Sequence, residues 1–216
     1  MASHNKSNTY DDEFYKGQKE SSYLSAIQII PFICSLFPFI SKVVDIGCGS
    51  GSWLAPFANM GKVIAGYDFG DGVENNLYIP IQAYHKHDLT TPLDLKKQFD
   101  LAISLEVAEH LEKEHAYNLI SILTNASDLI LFSAAIPGQN GVHHVNCQWP
   151  DYWAYLFVKH GFSAYDILRP IFWRNTNIRP WYRQNIILYA KDLDIASRNR
   201  LSMFTNFQCL PIKIEF

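Results

Sequence analysis

The sequence predicts an α/β fold, a mostly parallel sheet flanked by helices, and two observations carry that expectation. From residue 42 onward, short apolar runs of strand character alternate with helix-like segments, which is the pattern of parallel strands joined by crossover helices. The first of those runs, Val43-Val44-Asp45-Ile46, opens directly onto Gly47-Cys48-Gly49-Ser50-Gly51-Ser52-Trp53, with three glycines at alternate positions. Glycines let the backbone turn tightly and approach a ligand where a Cβ would collide. The loop feeds a helix beginning near Ser52, whose free N–H groups face the ligand.

Taken in order, strands are expected near 42–46, 62–67, 82–86, 99–105, 128–133, 163–168 and 184–190. Ahead of them stands an N-terminal helical cap, residues 1–40, and the main domain follows at 41–216. The cap reads as helical pieces, Asp11 to Gly17 and then Ser21 to Phe37, with an interruption at Pro31 because proline removes a donor and clashes with the preceding turn. Tyr10, Phe14 and Tyr15 set aromatics at helical spacing, as on a packing face. Farther along, Pro150-Asp151 starts a helix that Gly161 stops. Between the fifth strand and that helix runs a long loop, Ser133 to Pro150, and long loops in compact domains are more often functional than idle.

Composition narrows the function classes. A chain of 216 residues, 48% hydrophobic and 18% charged, suffices for one α/β domain with a sizeable core. A net charge of −3 leaves no electrostatic footprint for nucleic acid or an anionic membrane. Arg169, Arg174, Arg179 and Arg183, interleaved with Phe172, Trp173, Trp181 and Tyr182, suit a pocket wall that meets an anion or sugar better than a nucleic-acid surface. The apolar stretch Ile27 to Ile40 is broken by Pro31 and Pro38 and is too short to span a bilayer. The polar N-terminus lacks the apolar region of a secretory signal. Cys34, Cys48, Cys147 and Cys209 form no C-x-x-C pair, which points to reduced thiols and a cytoplasmic protein.

Spacing identifies the ligand of the glycine loop. In the dinucleotide fingerprint G-x-G-x-x-G the third glycine comes one residue later than here. The next strand, Lys62 to Asp68, ends in an acid 21 positions after Gly47, placed to accept hydrogen bonds from a ribose diol. Phe69 follows, available to lie on an adenine face. The D-x-G-x-G-x-G pattern of Asp45 to Gly51 resembles motif I of the class I S-adenosylmethionine-dependent methyltransferases.

That resemblance implies a Rossmann-like seven-stranded sheet with its last strand inserted antiparallel near one edge. It implies S-adenosylmethionine as cofactor, with Asp45, Gly47, Gly49 and Gly51 around its amino-acid end, and Asp88 and Leu89 at its adenine. Gln98 to Leu111, with Glu106-Val107-Ala108-Glu109-His110, is similar to a segment of small-molecule methyltransferases that includes the ubiquinone-pathway O-methyltransferases. There the residues after the fourth strand border the methionine end, so Glu106 is expected to face the cofactor. Glu109 and His110 stand open between a base or metal-ligand role and that of charges on the first turn of a helix. Relatives with a comparable N-terminal segment use it to cap the cofactor, and Tyr15 is the expected contact.

Methyl transfer asks the protein chiefly to position a nucleophile and remove its proton. His143 and His144 in the long loop are the candidates, with His144 preferred because Asn146 would point the same way in an extended segment. No metal is expected, since the loop holds no carboxylate for a hard cation. Leu105-Glu106-Val107-Ala108 stands where base-amino methyltransferases carry N-P-P-[YF], which favours an oxygen acceptor. The stretch from Phe132 to Trp153 resembles bacterial methyltransferases of glycan and secondary-metabolite biosynthesis. The expected partner is a small-molecule acceptor, with a homodimer left open, and neither nucleic acid nor membrane. Two alternatives share the cofactor: an enzyme that cleaves or cyclises S-adenosylmethionine to release methylthioadenosine, and a cofactor-binding subunit without chemistry.

Overall fold

The computed structural model describes residues 12–70 and 72–203, with side chains described from Glu20 onward except at 195 and 196. Its centre is a seven-stranded sheet built from β1 (Lys42–Ile46), β2 (Val63–Asp68), β3 (Tyr84–Lys86), β4 (Leu101–Leu105), β5 (Leu129–Ser133), β6 (Ser163–Tyr165) and β7 (Ile187–Ala190). The spatial order is β3-β2-β1-β4-β5-β7-β6. All neighbours are parallel except β7, which runs antiparallel to β5 and to β6. The sheet is therefore the Rossmann-like one expected, down to its inserted antiparallel strand.

Strands β4, β5 and β7 are buried along their whole length, and that explains why they are apolar without alternation: both faces are covered. Alternate residues serve opposite layers. Val43, Leu101, Ile103, Leu129 and Leu131 pack with Ala26, Ile29, Ile30 and Ile33 of helix α1 (Asp12–Leu36) and Phe57 of α2 (Leu54–Asn59). Val44, Ala102, Ile130 and Phe132 pack against Leu119, Ile120 and Leu123 of α3 (Ala116–Ala126) and Trp153 and Phe157 of α4 (Pro150–Lys159). Three further α-helices are short: α5 (Leu168–Phe172), α6 (Pro180–Asn185) and α7 (Ile195–Ser202).

Two expectations are corrected. Helix α1 runs unbroken through Pro31. Pro31 is exposed while Ile29, Ile30 and Ile33 beside it are fully buried, so tertiary packing holds the helix and the lost hydrogen bond falls on the solvent side. The segment after β4 is not a helix from Glu106. It forms a short 3₁₀ turn, Ala108–His110, then another, Lys113–His115, before α3. The cause lies at Glu106, whose φ of +56° is left-handed and interrupts helical geometry.

The chain leaves β1 outward to β2 and β3 and then returns to β4, so β1 and β4 flank the switch point at which doubly wound sheets bind ligands. Here the glycine loop and the turn after β4 touch. A Cβ on Gly47, which has φ +84°, would lie 2.5 Å from Val107 Cγ2. Gly47→Ala is thus expected to lose about 2–4 kcal/mol of stability from left-handed strain and overpacking together. In urea denaturation, adding Val107→Ala should recover part of that loss as a favourable coupling. Strict additivity of the two changes would show that the contact is absent.

Candidate active site

The glycine loop is held by backbone bonds to the neighbouring strand. Gly47 and Cys48 donate to the Tyr67 carbonyl at 2.8 and 3.1 Å, and Gly51 donates to Cys48 O at 2.8 Å. Cys48 fills the space beside Gly66, where a Cβ would meet its Sγ at 2.7 Å. Gly51, at φ +78°, lies under Ile79, while a Cβ on Gly49 meets nothing within 4 Å. Gly49 is therefore the point at which the loop offers bare backbone to the crevice.

Asp68 does more than sequence suggests. Its Oδ2 accepts from Gly49 N at 2.7 Å, and its Oδ1 accepts from Phe69 N at 2.7 Å and Gly70 N at 2.9 Å. Two oxygens offer about four acceptor positions, so this carboxylate clamps the loop with three and keeps about one for a ribose hydroxyl. Asp45, buried in β1, is pushed well above the usual carboxylate range by burial and then by the nearby Asp68 charge. Phe69 is exposed, with Lys86 Nζ 5.4 Å from its ring centroid. Asp88 Oδ1 accepts from Thr90 N at 2.9 Å and Thr90 Oγ1 at 2.7 Å, and those bonds hold it below its ordinary value. Leu89 packs into the core on the α3 side. Tyr15 lies in the first turns of α1, where its side chain is outside the described residues.

At the end of β4, Glu106 enters a closed ring of polar side chains. Its Oε2 accepts from Gln139 Nε2 at 2.8 Å and its Oε1 from Asn185 Nδ2 at 3.1 Å, while Asn185 Nδ2 also donates to Gln139 Oε1 at 2.9 Å. Burial raises the Glu106 carboxyl, and the bonds from Asn185 and Gln139 oppose that rise. Sequence reading passed over both amides as site residues. Gln139 sits in the loop already marked as functional. Asn185 carries no motif signal, because it reaches the site only through the antiparallel placement of β7.

The following 3₁₀ turn gathers a second cluster. Ligand atoms of Glu109, His110 and His144 lie within 4.8 Å of one another, and the rings of His110 and His144 meet edge to face at 4.9 Å. Glu109 is fully buried with no hydrogen-bond partner on either carboxylate oxygen. Burial first, and Glu106 second, push its carboxyl up to about 9, so it is a neutral acid at pH 7. His110 is lowered by burial and then by His144. The Glu109 carbonyl accepts from Val145 N at 2.8 Å and Asn146 N at 3.0 Å, fastening the long loop over the turn.

His144 stands in this cluster, its Nδ1 3.3 Å from Gln139 O and 3.7 Å from Cys147 Sγ. His143 is exposed at φ +55°. Asn146 is buried and its Nδ2 donates to Ala108 O at 3.5 Å, so it anchors the loop instead of sharing a direction with His144. The structure thus brings together Glu106, Glu109, His110 and His144 beside the glycine loop.

A family model described as a methyltransferase domain matches residues 19–167. The chain belongs to this family. S-adenosylmethionine is accordingly the cofactor around which the glycine loop and Asp68 are read. Relatives include the ubiquinone biosynthesis O-methyltransferase of Dinoroseobacter shibae, 30% identical over 41% of this chain and 36% of that protein. The mitochondrial one of Arabidopsis thaliana is 35% identical over 32% of this chain and 24% of that protein. The match thus spans about a third or less of the length of these relatives. Among solved structures, magnesium protoporphyrin IX methyltransferase from Synechocystis PCC 6803, with bound SAH, superposes at TM-score 0.61 with 17% identity over 86% of this chain and 90% of that one. A sugar N-methyltransferase from Streptoalloteichus superposes at 0.64 with 13% identity over 88% and 98%.

Because Asp68 both anchors the loop and keeps a free acceptor position, Asp68→Ala has two expected effects. S-adenosylhomocysteine binding weakens by about 1.5–3 kcal/mol, the worth of charge-assisted bonds, and thermal stability drops with it. Calorimetry with a parallel melting curve tests this, and unchanged affinity removes Asp68 from the cofactor site.

Proposed function

We propose that the protein transfers the methyl group of S-adenosylmethionine to a hydroxyl of a small molecule. The observation that carries this reading is the junction of the glycine loop with the turn after β4, next to the imidazoles of His110 and His144. One side would hold a sulfonium donor, and the other supplies imidazoles near the same crevice. Bound at the glycine loop, S-adenosylmethionine would supply an electrophilic methyl carbon and take the bonding pair back onto sulfur, and the attacking hydroxyl would give its proton to an imidazole of His110 or His144. An enzyme of this kind gains most from holding the two reactants in line, and the loop fastened by Glu109 O is suited to do so. The absence of an N-P-P-[YF] tetrapeptide and the names of the ubiquinone-pathway relatives support oxygen over nitrogen as the nucleophile.

His144 is assigned proton removal, with His143 as the exposed neighbour at the acceptor side. The first test is product analysis: S-adenosylhomocysteine appearing only when an acceptor is supplied supports transfer. Methylthioadenosine from the cofactor alone supports cleavage or cyclisation instead. Once an acceptor is known, His144→Ala should lower kcat by about 10²–10⁴, the usual worth of a general base, with cofactor affinity little changed. Equal activity of His144→Ala and the unmodified chain, alongside a loss in His143→Ala, moves the role to His143.

A second reading is favoured by one cluster. Ligand atoms of Glu109, His110 and His144 lie within 4.8 Å of one another, and an ion bound there would take the Glu109 proton and leave a carboxylate beside two imidazoles. Two imidazoles with a carboxylate suit a borderline divalent ion better than a hard one. Elemental analysis of the purified protein and turnover after chelation discriminate the two. Full activity in metal-free protein retains His144 as the base, whereas stoichiometric metal and activity restored by its return make His144 a ligand.

A further inference from the structure

The fold divides Arg169, Arg174, Arg179 and Arg183 into two pairs. Arg169 is engaged through all three guanidinium nitrogens: Nε donates to Asp166 Oδ1 at 2.7 Å, Nη2 is bonded to Asp166 Oδ2, and Nη1 donates to Gln184 O at 3.5 Å. Arg183 Nη1 donates to Asn175 O at 3.1 Å and closes the turn between α5 and α6. Arg174 and Arg179 are exposed, and the guanidinium of neither is hydrogen bonded to or ion-paired with a described residue. The segment Leu168 to Arg183 holds all four arginines and no acid, in a chain whose net charge is −3. Uncompensated positive charge is thus local to this turn.

The backbone beneath those two side chains is tied down. Asn175 N donates to Phe172 O at 2.9 Å, Ile178 N to Asn175 O at 3.2 Å, and Asn177 N to Asn175 Oδ1 at 3.0 Å. Ile178 is buried, Arg179 N donates to Ser25 Oγ of α1 at 3.1 Å, and Asn175 Nδ2 donates to Gln28 Oε1 at 3.4 Å. A turn ordered in advance binds at lower cost. It presents Trp173, 56% exposed, and leads to the half-buried Trp181, over whose ring the Arg179 guanidinium lies at 5.8 Å. Stacking uses the face of a guanidinium and leaves the N–H groups in its plane for an oxyanion.

Helix α6 joins this turn to the site. Tyr182 packs edge-on against Trp53, just beyond the glycine loop, with ring centroids 4.9 Å apart, and Asn185 donates to Glu106. From Arg179 to Asn185 the helix rises about 9 Å. The turn therefore stands at the rim of the crevice, within the span of one small molecule.

We infer that the methyl acceptor carries an oxyanion, a phosphate or a carboxylate, which Arg174 and Arg179 hold at the rim while its hydroxyl reaches the imidazoles, with Trp173 against a flat face of the same molecule. This inference rests on the proposed transfer to a small-molecule hydroxyl and names the class of that molecule.

Three probes isolate the anion: phenyl phosphate, benzoate and phenol, each titrated into the protein and followed by NMR at the indole N–H groups of its five tryptophans. Phenyl phosphate or benzoate should shift Trp173 and Trp181, the tighter of the two showing whether phosphate or carboxylate is preferred, and phenol should bind about tenfold more weakly or less. Arg174→Gln with Arg179→Gln should weaken the anion about tenfold while S-adenosylhomocysteine stays within about twofold. Lys159→Gln, which removes an exposed cation on α4, should change neither. Equal binding of phenol, undiminished anion binding in the double variant, or equal weakening by Lys159→Gln overturns the inference. A single-stranded oligonucleotide that binds more tightly than either anion and is lost in the double variant assigns the turn to nucleic acid, and also overturns it. If S-adenosylhomocysteine binds and no anion does, this inference alone fails; if S-adenosylhomocysteine does not bind the unmodified chain, the transfer reading fails and takes the acceptor subsite with it.

Discussion

The close approach of the glycine loop to the turn after β4 is the constraint on which the site depends. Residue 47 must lack a side chain because Val107 occupies that space, and its left-handed φ independently demands the same residue. That approach lets β1 and β4 sit side by side at the switch point with no gap between the segments that leave them. The Asp68 carboxylate then secures the other side of the loop through Gly49. Both sides of the crevice are fixed by local chemistry before any ligand is considered.

Charge is distributed around that crevice in an uneven way. Asp45, Glu106 and Glu109 are all displaced upward by burial, Asp45 further by Asp68 and Glu109 further by Glu106. Three buried acids with so few cations among them would destabilise an ordinary core. The arrangement makes sense around a cofactor that brings two positive groups of its own, the sulfonium and the ammonium. Glu109 differs from Glu106 in lacking side-chain amide donors, and burial beside Glu106 keeps it protonated, while Glu106 is supported by amides.

Much of this was legible in the sequence because it depends on short-range spacing. The alternation of apolar runs located all seven strands to within a few residues, and glycines at alternate positions marked the loop. The resemblance supplied the antiparallel last strand. Three things were not legible. Pro31 suggested a break that packing of α1 overrides. The Glu106 segment looked helical because nothing in Glu-Val-Ala-Glu-His announces a left-handed residue. Asn185 lies 79 positions from Glu106, and no periodicity connects residues that only strand order brings together. The functional assignment of Asp68 was incomplete for a related reason, since its bonds to three backbone N–H groups depend on exact loop geometry.

The placement of β7 between β5 and β6 has a consequence for how the protein is made. Parallel strands β1 to β5 and the loop that follows are all synthesised before residue 150, so the glycine loop and the histidines exist in a nascent chain well before Asn185. The ring around Glu106 closes only when α6 and β7 arrive and the late strand inserts between two earlier ones in space. Such non-local pairing is slow relative to helix and turn formation. Completion of the sheet and completion of the site are therefore one folding event, and a chain interrupted before that event carries a glycine loop without the amide that steadies Glu106.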